Sequence, residues 1–270
     1  MLRGWLAALA VLVGVGLSNA ADQSAPLLSK EKRWQEARNH LAEGRAAEAK
    51  AAFEALLTQY AKEPDLHLFL GLTLLRLRDP QAAEASIKRA IAIDPNHVEA
   101  RTLLAWIDSE IHGDFDSAIK EYSKVVELRP DSSEAYNNLG VALKRKGELG
   151  KAAESFNKAL QLRPDYSAAL SNRGWVFAEQ NKWREARRDF EQALNVNPGN
   201  DGALYGLSQA LREVRDYAGA QSALRQLMSR STNFVYWLEW GRIGLIRYYW
   251  IGLLIALAIF FKGRFKKARI

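Results

Sequence analysis

Four prolines fix the frame of this chain. Pro95, Pro130, Pro164 and Pro198 recur at spacings of 35, 34 and 34 residues, each behind an Asp, Arg or Asn. A period of that length marks a repeat architecture, in which each unit is too small to bury its own apolar face and must stack on its neighbours. Counted from the third residue after the proline, small residues fall at positions 8, 20 and 27, and large ones at 4, 7, 11 and 24. Small positions let two helices approach closely, and large ones fill the space between successive repeats. The proline closes the second helix, because it cannot donate the next helical hydrogen bond. The expected fold is therefore all-α.

In the repeat that ends at Pro164 the pattern is carried by Tyr136, Leu139, Gly140, Gly147, Ala152, Phe156 and Ala159. In the next it is carried by Leu170, Gly174, Ala186, Phe190, Ala193 and Pro198, with Arg173 in place of Leu and Asn181 in place of Gly. Asn still tolerates a left-handed turn. These residues resemble the tetratricopeptide repeat, abbreviated TPR. Weaker matches extend the array on both sides. Gly71, Ala83, Ala90 and Pro95 mark one repeat, and Ala105, Gly113, Ala118, Tyr122 and Pro130 the next, which has one extra residue. Trp34, Ala37, Gly44, Ala49 and Phe53 mark a degenerate first repeat; Leu204, Leu207, Ala220 and Leu224 mark a degenerate last one, where Thr232 stands in for the closing proline. The resemblance implies a right-handed α-solenoid of about six helix pairs over 30–232, with repeats at about 30–63, 64–97, 98–132, 133–166, 167–200 and 201–232.

The two ends read as targeting segments. Residues 1–20 carry Arg3, then an apolar run Trp5–Leu17, then Ser18 and Ala20 at the small positions before a cut at Ala21. This is the pattern of a secretory signal peptide; an uncleaved anchor is the alternative. Residues 21–29 are expected to be a linker. At the other end Ile243–Phe261 is apolar apart from Arg247. As a helix it is about 28 Å long, close to a ~30 Å hydrocarbon core. Trp237, Trp240, Tyr248, Tyr249 and Trp250 cluster at its entry like an aromatic belt, and Arg247 can snorkel to the headgroups. The segment 233–242 is expected to lie in the interface. The tail 262–270 is basic and by the positive-inside rule cytoplasmic. Together these give a single-pass protein of the inner (cytoplasmic) membrane, with the repeats on the periplasmic side. A buried terminal helix, a cleaved C-terminal sorting signal, and a tail-anchored protein with cytosolic repeats are the other readings of the same residues.

The net charge of +7 does not point to nucleic acid. Seven basic residues and one acidic one lie in 233–270, and Arg3 lies in the leader, so 21–232 balances thirty of each sign. A neutral, mixed surface does not track phosphates. There is no cysteine, and the four histidines lack the HxxxH or HxxEH spacing of a helical metal site, so neither a metal nor a cofactor is expected. No phosphate loop, dinucleotide fingerprint or GxSxG elbow occurs. No enzyme is expected.

The expected activity is to bind a protein or peptide partner. In tetratricopeptide repeats the first helix of each pair lines a concave groove, mainly through positions 2, 5, 9 and 12. Carried onto this sequence, the resemblance assigns Trp106, Val141, Trp175 and Gln209 to position 9, Asn137, Ser171 and Tyr205 to position 5, and Lys144 and Arg212 to position 12, with Asn172 beside them. The alternative for Trp106 and Trp175 is packing on the neighbouring repeat. The reading as a whole is a membrane-anchored scaffold of an envelope assembly.

Overall fold

A computed structural model describes residues 24–267. The expected signal peptide, 1–20, lies outside them. All regular structure among the described residues is helical, and the chain divides into two compact units, Met1–Arg129 and Pro130–Ile270.

The first unit pairs α1 (Ser24–Ala42) with α2 (Ala46–Leu57), α3 (Pro64–Arg76) with α4 (Pro80–Ile93), and α5 (Val98–Ile107) with α6 (Phe115–Leu128). α1 begins at Ser24, within the stretch expected to be a linker; Pro26 falls in its first turn, where a missing N–H costs nothing. The core is apolar, built on Phe53, Leu66, Ile87 and Ile107, all fully buried. Trp34 stands edge-on to Phe53 and Phe69 at 6.0 and 5.4 Å. Helix starts are capped where the sequence supplies a short polar side chain: Asp79 accepts from the Ala82 N–H, and Asp114 from Ser117. The extra residue of the third repeat is absorbed as a π turn, Asp108–His112, in which the Gly113 N–H donates to the Asp108 carbonyl five residues back.

The second unit pairs α7 (Ser133–Lys146) with α8 (Leu149–Leu162), α9 (Ser167–Glu179) with α10 (Trp183–Val196), and α11 (Asp201–Glu213) with α12 (Tyr217–Arg230). Phe190 of α10 shows why the small positions recur. Its ring is fully buried between Gly174 of α9 and Gly206 of α11. A Cβ on Gly174 would stand 2.8 Å from the ring, and one on Gly206 only 2.3 Å. Arg173, at a position where the repeat uses leucine, makes a two-pronged bond to Asp189, from Nε and Nη2 at 2.7 Å each, and a third from Nη1 to Asn157 at 2.7 Å.

One backbone feature recurs at the turn within each helix pair. Gly44, Arg78, Gly113, Gly147, Asn181 and Arg215 all have φ between +60° and +87°. Asn181 takes the left-handed turn expected of it. Arg78 and Arg215 take the same turn at the cost of Cβ crowding, roughly 1–2 kcal/mol for a residue with a side chain.

The last helix, α13, runs unbroken from Phe234 to Lys267. It passes through the expected interfacial segment, the apolar span and the first part of the basic tail without a break. Its 34 residues make a rod of about 51 Å. Tyr236, Trp240 and Ile243 pack on Leu224, Leu227 and Leu211, so the base of the rod belongs to the protein core.

Candidate functional site

The first helices of the second unit, α7, α9 and α11, carry nine of the ten residues assigned to the groove; Trp106 is on α5 of the first unit, half-buried against that unit's core. On α9 the Trp175 ring meets Phe190 edge-on at 5.3 Å and Tyr205 of α11 at 6.2 Å. Tyr205 in turn meets Tyr236 of α13 at 5.5 Å. The result is a row of three rings, Trp175–Tyr205–Tyr236, each half-buried and packed on its neighbours. Rings spaced this way add roughly 0.5–1.5 kcal/mol per pair beyond their area. Trp175 thus packs on the next repeat while part of its surface stays open.

The polar members divide into tied and free groups. Asn137 is buried, and its Oδ1 accepts from Asn172 Nδ2 at 3.0 Å, which links α7 to α9. Ser171 is also buried. Lys144 lies 3.6 Å from Glu179, and Arg212 binds Glu239 of α13 at 3.0 Å and Glu213 at 2.9 Å. Val141 and Gln209 are half-exposed on the same helices. The accessible part of this face is therefore apolar and amide in character: Val141, Trp175, Tyr205 and Gln209, edged by the Lys144–Glu179 and Arg212–Glu239 pairs.

Tyr236 and Glu239 join this site from a segment read in the sequence as membrane interface. Trp240, assigned to that interface, turns inward and packs on the unit's core, with its indole N–H buried. Arg247, expected to snorkel, donates to Gln221 of α12 at 3.1 Å, and Gln221 donates to the Trp240 carbonyl at 3.3 Å. Trp237, Tyr248, Tyr249 and Trp250 are exposed. From Tyr248 to Ile259 every residue is exposed, and the stretch Phe234–Ile259 is long and apolar enough to cross a membrane, with mean hydropathy 1.6.

Stacked helix pairs with glycine-pinched aromatics define a helical-repeat protein. Family profiles described as tetratricopeptide repeat match residues 131–198 and, with a second profile, 40–107 and 177–237; a TPR repeat profile matches 111–147. The chain is a tetratricopeptide-repeat protein. None of the matching profiles describes a catalytic family. No curated protein matches the chain significantly. Among solved structures, it is similar to one described as a functional characterization of Pseudomonas aeruginosa pilF, at 18% identity and a TM-score of 0.69, over 79% of this chain and 96% of that one. It is similar to PilW, described as a widely conserved type IV pilus biogenesis factor, at 17% identity and 0.69, over 80% and 98%. A tetratricopeptide repeat protein from Parabacteroides merdae matches at 17% identity and 0.69, over 82% and 88%. These similarities establish the fold.

Proposed function

We propose that the protein is a membrane-anchored scaffold that holds a protein or peptide partner on the α7–α9–α11 face, in an assembly on the periplasmic side of the inner membrane. The observation that carries this reading is α13: its base is part of the repeat core, and from Tyr248 to Ile259 it is an apolar rod that nothing among the described residues covers. Burying such a rod in lipid is favourable by about 25 cal/mol per Å2 of apolar surface, far more than a surface helix gains in water. The open rings and amides of the α9–α11 face are the residue types that anchor a docked peptide. The leader-like residues 1–20 and the cationic tail support the orientation.

The test places a photoreactive residue at Gln209 in native membranes, with Arg187 on α10 as the control position. A discrete adduct at Gln209, absent at Arg187, and retention of the protein in alkali-washed membranes are the expected results. Release by alkali removes the anchor. Equal labelling from both positions removes the binding face. A reporter active only outside the cytoplasm, fused at residue 200, decides the side of the membrane, and a tag after Ile270 shows whether the C-terminal unit is retained.

A further inference from the structure

We propose that Glu84, Asp108 and His112, brought together in the first unit by α4 and the π turn, form a site for one borderline divalent cation of the Zn2+ class. Each residue offers one ligand atom, and the three atoms lie within 4.8 Å of one another. His112 Nε2 is already 2.9 Å from Glu84 Oε2. Asp108 and His112 are four residues apart on the π turn, so both face the same side, while Glu84 comes across from α4.

A second observation points to a cation. Asp108 is only 8% exposed, and among the described residues no hydrogen-bond donor or ion pair reaches its carboxylate. The carboxylates of Glu84 and Asp114 both lie close enough to oppose its charge, so acids converge where one of them is buried. A buried carboxylate without a partner costs several kcal/mol, and it persists where a positive charge can meet it. Lys88 partly serves this role: its Nζ is 2.6 Å from Glu84 Oε1, but its side chain is 60% exposed and free to swing outward. The imidazole sets the class of cation. Mg2+ and Ca2+ take oxygen ligands, whereas one imidazole with two carboxylates suits Zn2+ and its neighbours. Bond lengths of about 2.0–2.2 Å would draw the three atoms together by roughly 1 Å, and three protein ligands leave a position for water or a partner's side chain. Among the described residues no other repeat has the extra residue or the π turn, so the site is particular to the third.

The experiment titrates the untagged full-length chain, in mild detergent, with Co2+ and then Zn2+, read by visible absorption and calorimetry. One equivalent of Co2+ with tetrahedral-type bands, displaced by Zn2+ and not by Mg2+ or Ca2+, is expected. His112→Gln and Glu84→Gln should each weaken binding at least tenfold while circular dichroism stays unchanged. Lys88→Met should tighten it several-fold by removing the competing cation, an effect that a purely structural lysine would not have. Absence of binding, binding that survives both ligand substitutions, a preference for Mg2+ or Ca2+, or no tightening in Lys88→Met each overturns the proposal.

Discussion

The Arg173–Asp189 pair sets a quantitative test of how this repeat tolerates a departure from its own pattern. Leucine normally fills this position. Here a guanidinium whose side chain is 21% exposed grips a carboxylate whose side chain is 8% exposed. Removing one partner and removing both should therefore differ sharply. Arg173→Leu leaves Asp189 buried beside apolar neighbours with its charge unmatched, which costs about 3 kcal/mol. Asp189→Ala costs less, about 1–2 kcal/mol, because the guanidinium keeps Asn157 and can reach water. The double substitution Arg173→Leu with Asp189→Ala restores the apolar contact and should lie within about 1 kcal/mol of the parent, since hydrophobic replacement of a buried ion pair is often neutral or favourable. Repeat arrays unfold by parts, so one global midpoint would blur the effect. Hydrogen exchange of the α9 and α10 amides reads it locally. Three kcal/mol is more than a hundredfold loss of protection in Arg173→Leu, against fivefold or less in the double variant. If the double variant exchanges as fast as Arg173→Leu, the pair is not what holds these helices together, and the energetic account of it is wrong.

Gly206→Ala should destabilise the second unit by about 2–3 kcal/mol through overlap with the Phe190 ring, whereas Gly241→Ala, with open space around its Cβ, should be neutral or stabilising by up to about 1 kcal/mol; thermal unfolding of the two variants side by side checks this. His97 lies between Asp65, 3.0 Å from Nε2, and Glu99, 3.4 Å from Nδ1; hydrogen bonds to Asp65 first and Glu99 second hold its pKa up at about 9. Its folded-state pKa is raised, so the stabilisation is complete below about pH 6.5 and is lost as pH rises through about 9, on the order of 1–2 kcal/mol after screening of the exposed Asp65. Urea midpoints at pH 6 and pH 10 should differ in the parent and coincide in His97→Gln; parallel profiles would refute the assignment. Arg78→Gly and Arg215→Gly should each raise the unfolding temperature, the relief of left-handed strain outweighing glycine's added unfolded-state entropy by up to about 1 kcal/mol, while Arg215→Ala should show no gain.

The parts that were legible in the sequence are those with a period. Pro95, Pro130, Pro164 and Pro198 each fall just past a helix end, and Gly174 meets Phe190 as their recurrence implies. The extra residue before Pro130 was visible too, but whether it would lengthen a loop or swell a helical turn depends on backbone hydrogen bonding that a letter count does not encode. Arg78 and Arg215 carried no sign of a left-handed turn, because arginine has no preference for one; only the stacking of the repeats imposes it. The Asp189 partner of Arg173 sits 16 residues away on another helix, beyond any local rule. At the candidate site the rings on α9 and α11 were legible from register. Tyr236 was not. In Phe234–Ile259 nearly every residue is apolar, so the stripe Tyr236–Trp240–Ile243–Arg247 that docks on α12 has no polar face to stand out against. The Glu84–Asp108–His112 cluster carries no sequence sign for a related reason: an aspartate and a histidine hold the helical spacing, and the third residue comes from a different helix.

Because α13 has no joint between Trp240 and the far end of its exposed run, the repeats of the second unit cannot swivel on it as a balloon does on a string. Any tilt imposed at one end is delivered to the other as leverage on the Arg212–Glu239 and Arg247–Gln221 contacts. Under the proposed anchoring, a tug on a partner docked on α9 and α11 would be felt as torque at the foot of the rod.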